Sequence, residues 1–342
     1  MKKKILLVLT VFFIISNLYS MEEPFIFEGI RPLGMGKAFI ALADDENAIS
    51  YNPAGLVHLE DSVISTVMEY YSASIDAEPA RNYLRTGNYI LFAMKYFGVT
   101  FKYNEESVSM LSNEAKKTER DIQLKLAGAL EVSDDFSVGI LSTLIYKTKP
   151  FVDSGYSEGA YDDSGYRVDF DLGAQYSIIK NLRIGMLIKL TSGGGGKRII
   201  YDDDYKIAGS VAFPNFNMGL CWIIDDIIKI GFDVNNIFEP KNMESPSNCC
   251  ENCLSLRRQY RLGIESDFSK DFIIRGGLRI GKAPIVTSEL YYIWCPNIEY
   301  KDEISISLGL SYVWNKFIIE CVLERIAGEG DNSINAGITY KF

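Results

Sequence analysis

The stretch Glu303-Ile304-Ser305-Ile306-Ser307-Leu308-Gly309-Leu310-Ser311-Tyr312-Val313-Trp314 puts Ile304, Ile306, Leu308, Leu310, Tyr312 and Trp314 on one side of an extended chain. Ser305, Ser307, Gly309 and Ser311 fall on the other side. A period of two marks a strand, because successive side chains point to opposite faces. Residues 333–342 repeat the pattern, with Ile334, Ala336, Ile338, Tyr340 and Phe342 against Asn335, Gly337, Thr339 and Lys341. In residues 166–178 the polar face is charged: Val168, Phe170, Leu172, Ala174, Tyr176 and Ile178 oppose Arg167, Asp169, Asp171, Gly173, Gln175 and Ser177.

Working outward, such runs predict fourteen strands, near 61–71, 88–94, 97–105, 120–131, 136–148, 166–178, 181–191, 207–223, 227–236, 256–267, 271–280, 303–313, 317–325 and 333–342. The connections alternate in length. Those at 72–87, 106–119, 149–165, 192–206, 237–255 and 281–302 are long, and 326–332 is modest. Those at 95–96, 132–135, 179–180, 224–226, 268–270 and 314–316 are tight. An even number of antiparallel strands of about ten residues, with tight turns at one end and long loops at the other, is the pattern of an outer-membrane β-barrel. A soluble sandwich also alternates, but it has no reason to keep long loops at one end. Aromatic residues cluster near strand ends, as in Tyr70-Tyr71, Tyr291-Tyr292, Trp294, Tyr312 and Trp314, where a membrane-interface girdle places them. The final strand ends in Phe342, which resembles the terminal signal read by bacterial barrel-assembly machinery.

The expected fold is therefore all-β and membrane-embedded: a 14-stranded antiparallel outer-membrane β-barrel over residues 61–342, its apolar face on outer-membrane lipid. Closure removes strand edges that lipid cannot satisfy. Lys125, Arg167, Asp169, Asp171, Arg261, Glu265, Arg275, Arg279, Glu320 and Glu324 then face the lumen. Charges of both signs suit salt bridges to a plug better than a selective ion pore.

Composition narrows the functions. The 342 residues carry 35 Lys and Arg against 45 Asp and Glu, a formal charge of −10, with no basic tract to contact phosphates, so nucleic acid is excluded as a partner. His58 is the single histidine, which leaves no histidine metal cluster and little room for a Ser-His-Asp relay. The expectation is a non-enzyme with no cofactor and no metal. Gly155-Tyr156-Ser157-Glu158-Gly159 fits a hydrolase elbow but lacks a following helical period. Gly193-Gly194-Gly195-Gly196-Lys197 lacks the Ser or Thr and the earlier Gly of a phosphate loop. Cys249, Cys250, Cys253 and Cys295 lie in the predicted loops 237–255 and 281–302 and are candidates for disulfides of unassigned pairing. The acidic runs Asp162-Asp163 and Asp202-Asp203-Asp204 read as solvated faces.

At the N-terminus, Lys2, Lys3 and Lys4 precede an apolar run from Ile5 to Ile15 and a polar stretch ending at Ser20. Residues 1–20 read as a cleaved secretory signal peptide, the run being shorter than the roughly 20 apolar residues of a membrane helix. Residues 21–60 have no period of two. Gly34 and Gly36 permit close backbone approach, and Asn52-Pro53 suits an N-cap and first helical position for a short helix over 52–59.

The order Gly34-Met35-Gly36-Lys37-Ala38, then Ala41-Leu42-Ala43-Asp44-Asp45, then Asn52-Pro53-Ala54-Gly55-Leu56 resembles the N-terminal region of FadL-type outer-membrane barrels and the related PorV/PorQ-like proteins. The resemblance covers Gly29 to Leu56, and Lys37 stands where many members have a small residue. It implies fourteen strands and an N-terminal plug over residues 21–60, containing Gly34, Met35, Gly36, Asp44, Asp45, Asn52, Pro53 and Ala54. It also implies uptake of hydrophobic small molecules such as long-chain fatty acids across the outer membrane. Loop aromatics Phe151, Tyr156, Tyr161, Tyr291, Tyr292 and Trp294 are candidates for the mouth of such a path. Motif spacing is closer to the PorV-like branch, which implies instead a docking or shuttle component for secreted or periplasmic proteins. A surface antigen with a closed lumen is the third reading.

Overall fold

The computed structural model describes residues 29–75, 81–110, 113–148, 165–191, 215–237, 258–286, 298–327 and 332–342. A short helix α1 (Ile30–Gly34), a single turn α2 (Ala48–Tyr51) and a 3₁₀ turn (Pro53–His58) come first. Then follow β1 (Val63–Ile75), β2 (Arg81–Met94), β3 (Phe97–Met110), β4 (Asn113–Ser133), β5 (Phe136–Thr148), β6 (Gly165–Ile179) and β7 (Leu182–Thr191). The second half comprises β8 (Asn215–Ile224), β9 (Ile228–Asn235), β10 (Gln259–Asp267), β11 (Phe272–Val286), β12 (Ile298–Trp314), β13 (Phe317–Ala327) and β14 (Asn332–Lys341). Each strand pairs antiparallel with the next, and β14 returns to β1, Val63 opposite Lys341 through Ser72 opposite Asn332. The fourteen strands thus close into one barrel.

Several strands run further than the sequence predicted. β2 begins at Arg81 rather than 88, β3 continues to Met110 rather than 105, and β4 begins at Asn113 rather than 120. Likewise β11 continues to Val286 rather than 280, and β12 begins at Ile298 rather than 303. The connections expected at 72–87, 106–119 and 281–302 shorten accordingly. The physical reason is that stretches such as Arg81-Asn82 and Lys116-Lys117 stay in the ladder, opposite Met110 and Ser109 or Val108, while carrying no apolar face. Alternation reports contact with lipid, not the ladder itself. Residues 207–214, expected in the eighth strand, lie outside the described residues, as do nearly all of the connections 149–165, 192–206 and 237–255.

At the other end the turns are tight: two residues link β2 to β3, β4 to β5, β6 to β7 and β12 to β13. Asn315 (φ 56°) adopts the left-handed conformation that such turns require. Above them the outer face is apolar. Ile304, Ile306, Leu308, Leu310, Tyr312 and Trp314 are all exposed on β12, while Ser305, Ser307 and Ser311 are buried inside. Asp302, paired with Lys282 at 4.0 Å, bounds this band on the loop side. From Ile304 to Trp314 a tilted strand rises about 25 Å, the height of an outer-membrane apolar belt. Rings gather where the band meets the short turns: Trp314 on Phe317 at 6.2 Å, Phe317 on Tyr340 at 5.0 Å, and Phe342 on Tyr340 at 6.0 Å and Phe92 at 6.2 Å.

Residues 29–59 lie inside the barrel near the short-turn end, where Tyr96 N donates to Leu56 O at 3.3 Å. Ile30, Leu33, Met35, Phe39, Leu42, Ile49 and Leu56 are fully buried there, each worth about 1.5–3 kcal/mol on leaving water. The wall receives this backbone because it presents glycine. A Cβ added at Gly277 would lie 1.9 Å from Gly36 N, at Gly263 2.4 Å from Met35 O, at Gly185 2.4 Å from Ile40 O, and at Gly139 2.4 Å from Ala54 N. No real side chain tolerates such distances. Gly277→Ala therefore lowers the unfolding temperature of the detergent-solubilised protein, by about 1–3 kcal/mol of overpacking. Gly128→Ala, whose Cβ meets nothing within 4 Å, leaves it unchanged. Heat-modifiable migration on gels reads both.

Candidate functional site

The described interior is organised around the N-terminal segment. α1 is capped by the preceding Gly29 (φ 86°), whose carbonyl accepts from Leu33 N at 3.2 Å, and this turn aims Arg31 at the wall. Arg31 Nε and Nη2 donate to the two oxygens of Glu265 at 2.6 and 2.8 Å, a bidentate pair across to β10. Its Nη1 donates to Asp44 at 2.6 Å and Asp45 at 2.8 Å. Burial opposes the charge on Arg31, but Asp44, Glu265 and Asp45 outweigh it and hold the guanidinium well above its ordinary pKa. Asp44 is likewise resisted by burial, yet Arg31 and Lys229 hold its carboxyl below the usual range. The cluster continues along the wall. Arg275 Nε donates to Glu265 at 2.7 Å and its Nη1 to Glu320 at 3.0 Å, and Lys229 stands 3.3 Å from Glu265 and 3.6 Å from Asp44.

A second charged group adjoins it. Arg279 pairs with Glu303 at 2.5 Å and Glu324 at 3.5 Å, and it sits opposite Arg261 in the β10–β11 register. Arg261 Nη1 reaches the carbonyl of Lys37 at 3.5 Å. Lys37 is itself buried and left-handed (φ 64°). Burial, then Arg279, lowers its pKa to about 7, with Glu324 acting the other way.

The remainder of the segment is held by neutral groups. Asn52 Oδ1 accepts from Ala54 N at 3.3 Å, capping the 3₁₀ turn, while its Nδ2 donates to Ile40 O at 2.8 Å and Ala174 O at 3.0 Å. Gln175 Nε2 donates to the carbonyls of Ile40, Ala41 and Ala43, and its Oε1 meets His58 Nε2 at 3.1 Å. Burial beside Arg183 pushes His58 down to about 4, so the ring is neutral at pH 7. Asp233 on β9 accepts from Phe39 N at 2.7 Å and Ile40 N at 3.0 Å. Pro53 and Ala54 lie over Gly139 and Gly173, and Gly34 over Gly309. Glu46, buried near Asp45 and Glu320 and accepting from Thr339 at 3.2 Å, has its carboxyl pushed up to about 8.

Of the charges expected to face inward, Glu265, Arg275, Arg279, Glu320, Glu324 and Arg261 converge on β10–β13, and Lys125 stands apart, 3.3 Å from Ser50. Asp169 and Asp171 are partly buried on β6, away from that group; the side chain of Arg167, and Cys249, Cys250, Cys253 and Cys295, lie outside the described residues. So do residues 1–28, both glycine-rich motifs and the mouth aromatics. Among described cysteines, Cys221 is buried and Cys321 exposed, both free. Arg31, Glu46, Lys229 and Asp233 were not singled out by sequence, and Gln175 was placed on the polar face without a role. The last three occupy inward positions of alternating strands, a signal that was present, and Arg31 is a lone cation in an otherwise apolar turn.

A closed antiparallel barrel with an apolar outer band, an aromatic rim and a polar inner wall is an outer-membrane β-barrel. Its architecture is a closed barrel of fourteen strands filled by an N-terminal segment. No family model matches the chain, and no curated protein matches it in sequence. Solved structures do match in fold. The toluene transporter TodX of P. putida superposes with a TM-score of 0.61 at 10% identity, over 92% of this chain and 98% of that one. The toluene transporter TbuX of Ralstonia pickettii gives 0.56 at 15%, over 95% and 98%. A FadL homologue of Pseudomonas aeruginosa gives 0.56 at 11%, over 95% and 100%. At such identities the likeness is one of fold.

Two substitutions test the site. Asn52→Ala leaves the buried carbonyls of Ile40 and Ala174 without this donor and lowers stability by about 2 kcal/mol or more in detergent melts. For Glu46 the folded pKa of about 8 lies above the ordinary value of 4.5, so its contribution is present below pH 4.5 and lost as pH rises through 8. The difference in melting temperature between wild type and Glu46→Gln therefore shifts in favour of the variant as pH rises through that window.

Proposed function

We propose that this chain imports hydrophobic small molecules across the bacterial outer membrane, with residues 21–60 acting as a plug and residues 1–20 as a cleaved export signal. The observation that carries the reading is the shared fold: the solved barrels it resembles include a toluene transporter and a monoaromatic hydrocarbon channel. The physical drive is burial of apolar surface, about 0.8 kcal/mol for each CH₂ taken from water. No bond is made or broken, so the reading is of a transporter and not an enzyme. The described inner wall carries buried charge at Lys102 on Glu69, 3.3 Å apart, and in the ion pairs of β10–β13, beside apolar residues such as Leu91 and Leu141. In this reading the segment bars the direct descent of an apolar solute.

The test is uptake of labelled toluene and labelled long-chain fatty acid by cells with and without the gene, other transporters being deleted. Gene-dependent uptake of either compound is the expected result. Unchanged uptake of both, with the barrel correctly inserted, overturns the reading in favour of the PorV-like docking role, which co-purification of secreted or periplasmic chains then examines.

A further inference from the structure

Three adjacent rows of the inner wall cross β1–β4. The register sets Glu69 in line with Gly87, Asn104 and Asp121, then Val67 with Tyr89, Lys102 and Gln123, then Ser65 with Leu91, Thr100 and Lys125. The third row is nearest the short turns. There Leu91, Thr100 and Lys102 share a cavity of about 10 Å³ with Glu46, Asn47 and Ser50 of the segment, room for a single water. The first row lies further toward the long loops.

Buried polar groups in folded proteins are nearly always paired, so exceptions call for a cause. Asn104, 3% exposed, finds a hydrogen-bond partner through neither Oδ1 nor Nδ2. Gln123, 1% exposed, donates from Nε2 to Asp121 Oδ2 at 2.8 Å, while its Oε1, Asp121 Oδ1 and Thr100 Oγ1 find none. Gly87 keeps the space in front of the first row clear, since a Cβ there would lie 2.6 Å from Asn104 Oδ1 and 2.8 Å from Glu69 Oε2. The deficit is not one of charge. Lys102 stands 3.3 Å from Glu69, and across the three rows the carboxylates of Glu69 and Asp121 are matched by the ammonium groups of Lys102 and Lys125. What the rows hold in excess is hydrogen-bond capacity, most of it accepting. Apolar wall flanks it: Gln123 is opposite Ile145 of β5, Val67 closes the same row on β1, and both are buried.

We infer that Asn104, Gln123 and Asp121 form a recognition site for uncharged apolar molecules that carry a hydroxyl group, such as phenols and alcohols. A hydroxyl donates to the amide and carboxylate oxygens and accepts from Asn104 Nδ2, while the apolar body lies toward Ile145. A pure hydrocarbon covers the same oxygens without pairing them, which penalises it. A carboxylate brings only acceptors to a set that is mostly acceptors. This inference rests on the import reading and narrows its substrate class, from hydrophobic solutes in general to those with a neutral hydroxyl.

The experiment is equilibrium dialysis of labelled p-cresol, toluene and p-toluate against the mature chain in detergent, with protein-free micelles subtracted. The three share one ring and methyl group and differ in hydroxyl, hydrogen or carboxylate. The wild type binds p-cresol about tenfold or more tighter than toluene, and p-toluate no tighter than toluene. Asn104→Leu, of similar volume, lowers p-cresol affinity about tenfold and does not weaken toluene binding. It also leaves the heat-modification temperature no lower than that of the wild type, because no internal hydrogen bond is lost. Gln123→Met, which keeps the side-chain length, lowers p-cresol affinity by a smaller factor and serves if Asn104→Leu does not fold. Equal affinity for p-cresol and toluene, tighter binding of p-toluate, or a p-cresol preference untouched by both variants overturns the site. Failure to bind any of the three does so as well. Gene-dependent uptake of toluene or fatty acid by cells is read separately, so the site fails alone when that uptake persists.

Discussion

A hydrocarbon bilayer offers no hydrogen-bond partner to a peptide group, and the rest of this molecule follows from that absence. Every backbone N–H and C=O at membrane depth must pair within the chain, which for strands means that the last must return to the first. The register from Val63 opposite Lys341 to Ser72 opposite Asn332 performs that closure. Once the ladder is closed, each strand has one face on lipid and one on the lumen, and the alternation of Ile304, Ile306 and Leu308 with Ser305, Ser307 and Gly309 is the consequence.

Closure creates a second problem, a lumen too wide for its own side chains to fill. Here it is filled by chain. The wall gives up side-chain volume where the segment passes, at Gly139, Gly185, Gly263 and Gly277, and the segment supplies apolar side chains in return. The remaining polar groups divide by side of the barrel. Toward β6 the segment is joined chiefly by the amides of Asn52 and Gln175 and by backbone carbonyls, whose hydrogen bonds carry no net charge. Toward β9–β13 it is joined by buried charge, centred on Arg31 and Glu265, with Lys37 and Glu46 close to their own titration ranges. Charge pairs in so enclosed a place add less net stability than their distances imply, since each ion has lost its water. What they provide is register: a bidentate pair of 2.6 and 2.8 Å fixes the rotation of α1 against β10.

Much of the wall could be read directly from residue order. The inward positions of Glu265, Arg275, Arg279, Glu320 and Glu324 follow from parity alone, since Ile264, Ile274, Ile280, Ile319 and Leu323 between them face lipid. The N-cap at Asn52 was legible because Asn followed by Pro is a local signal, and the 3₁₀ turn begins there. Strand ends on the loop side were misplaced, as from Arg81 to Asn88, because the apolar alternation in the sequence stops before the ladder does. The glycines were visible as small residues on the polar face, but their purpose was not, because what a missing Cβ makes room for belongs to another part of the chain.

The sequence by itself determined the strand count, the direction each side chain faces and the sign of the membrane contact, because these depend on neighbours one or two residues away and on the solvent. Tertiary structure alone decided that Arg31 meets Glu265, 234 positions distant, that Asp233 receives Phe39 and Ile40, and that Gly36 lies on Gly277. Those pairings depend on how far the segment enters the lumen and how it is turned there. Depth and rotation are set by packing against many strands at once, a quantity that no local pattern encodes.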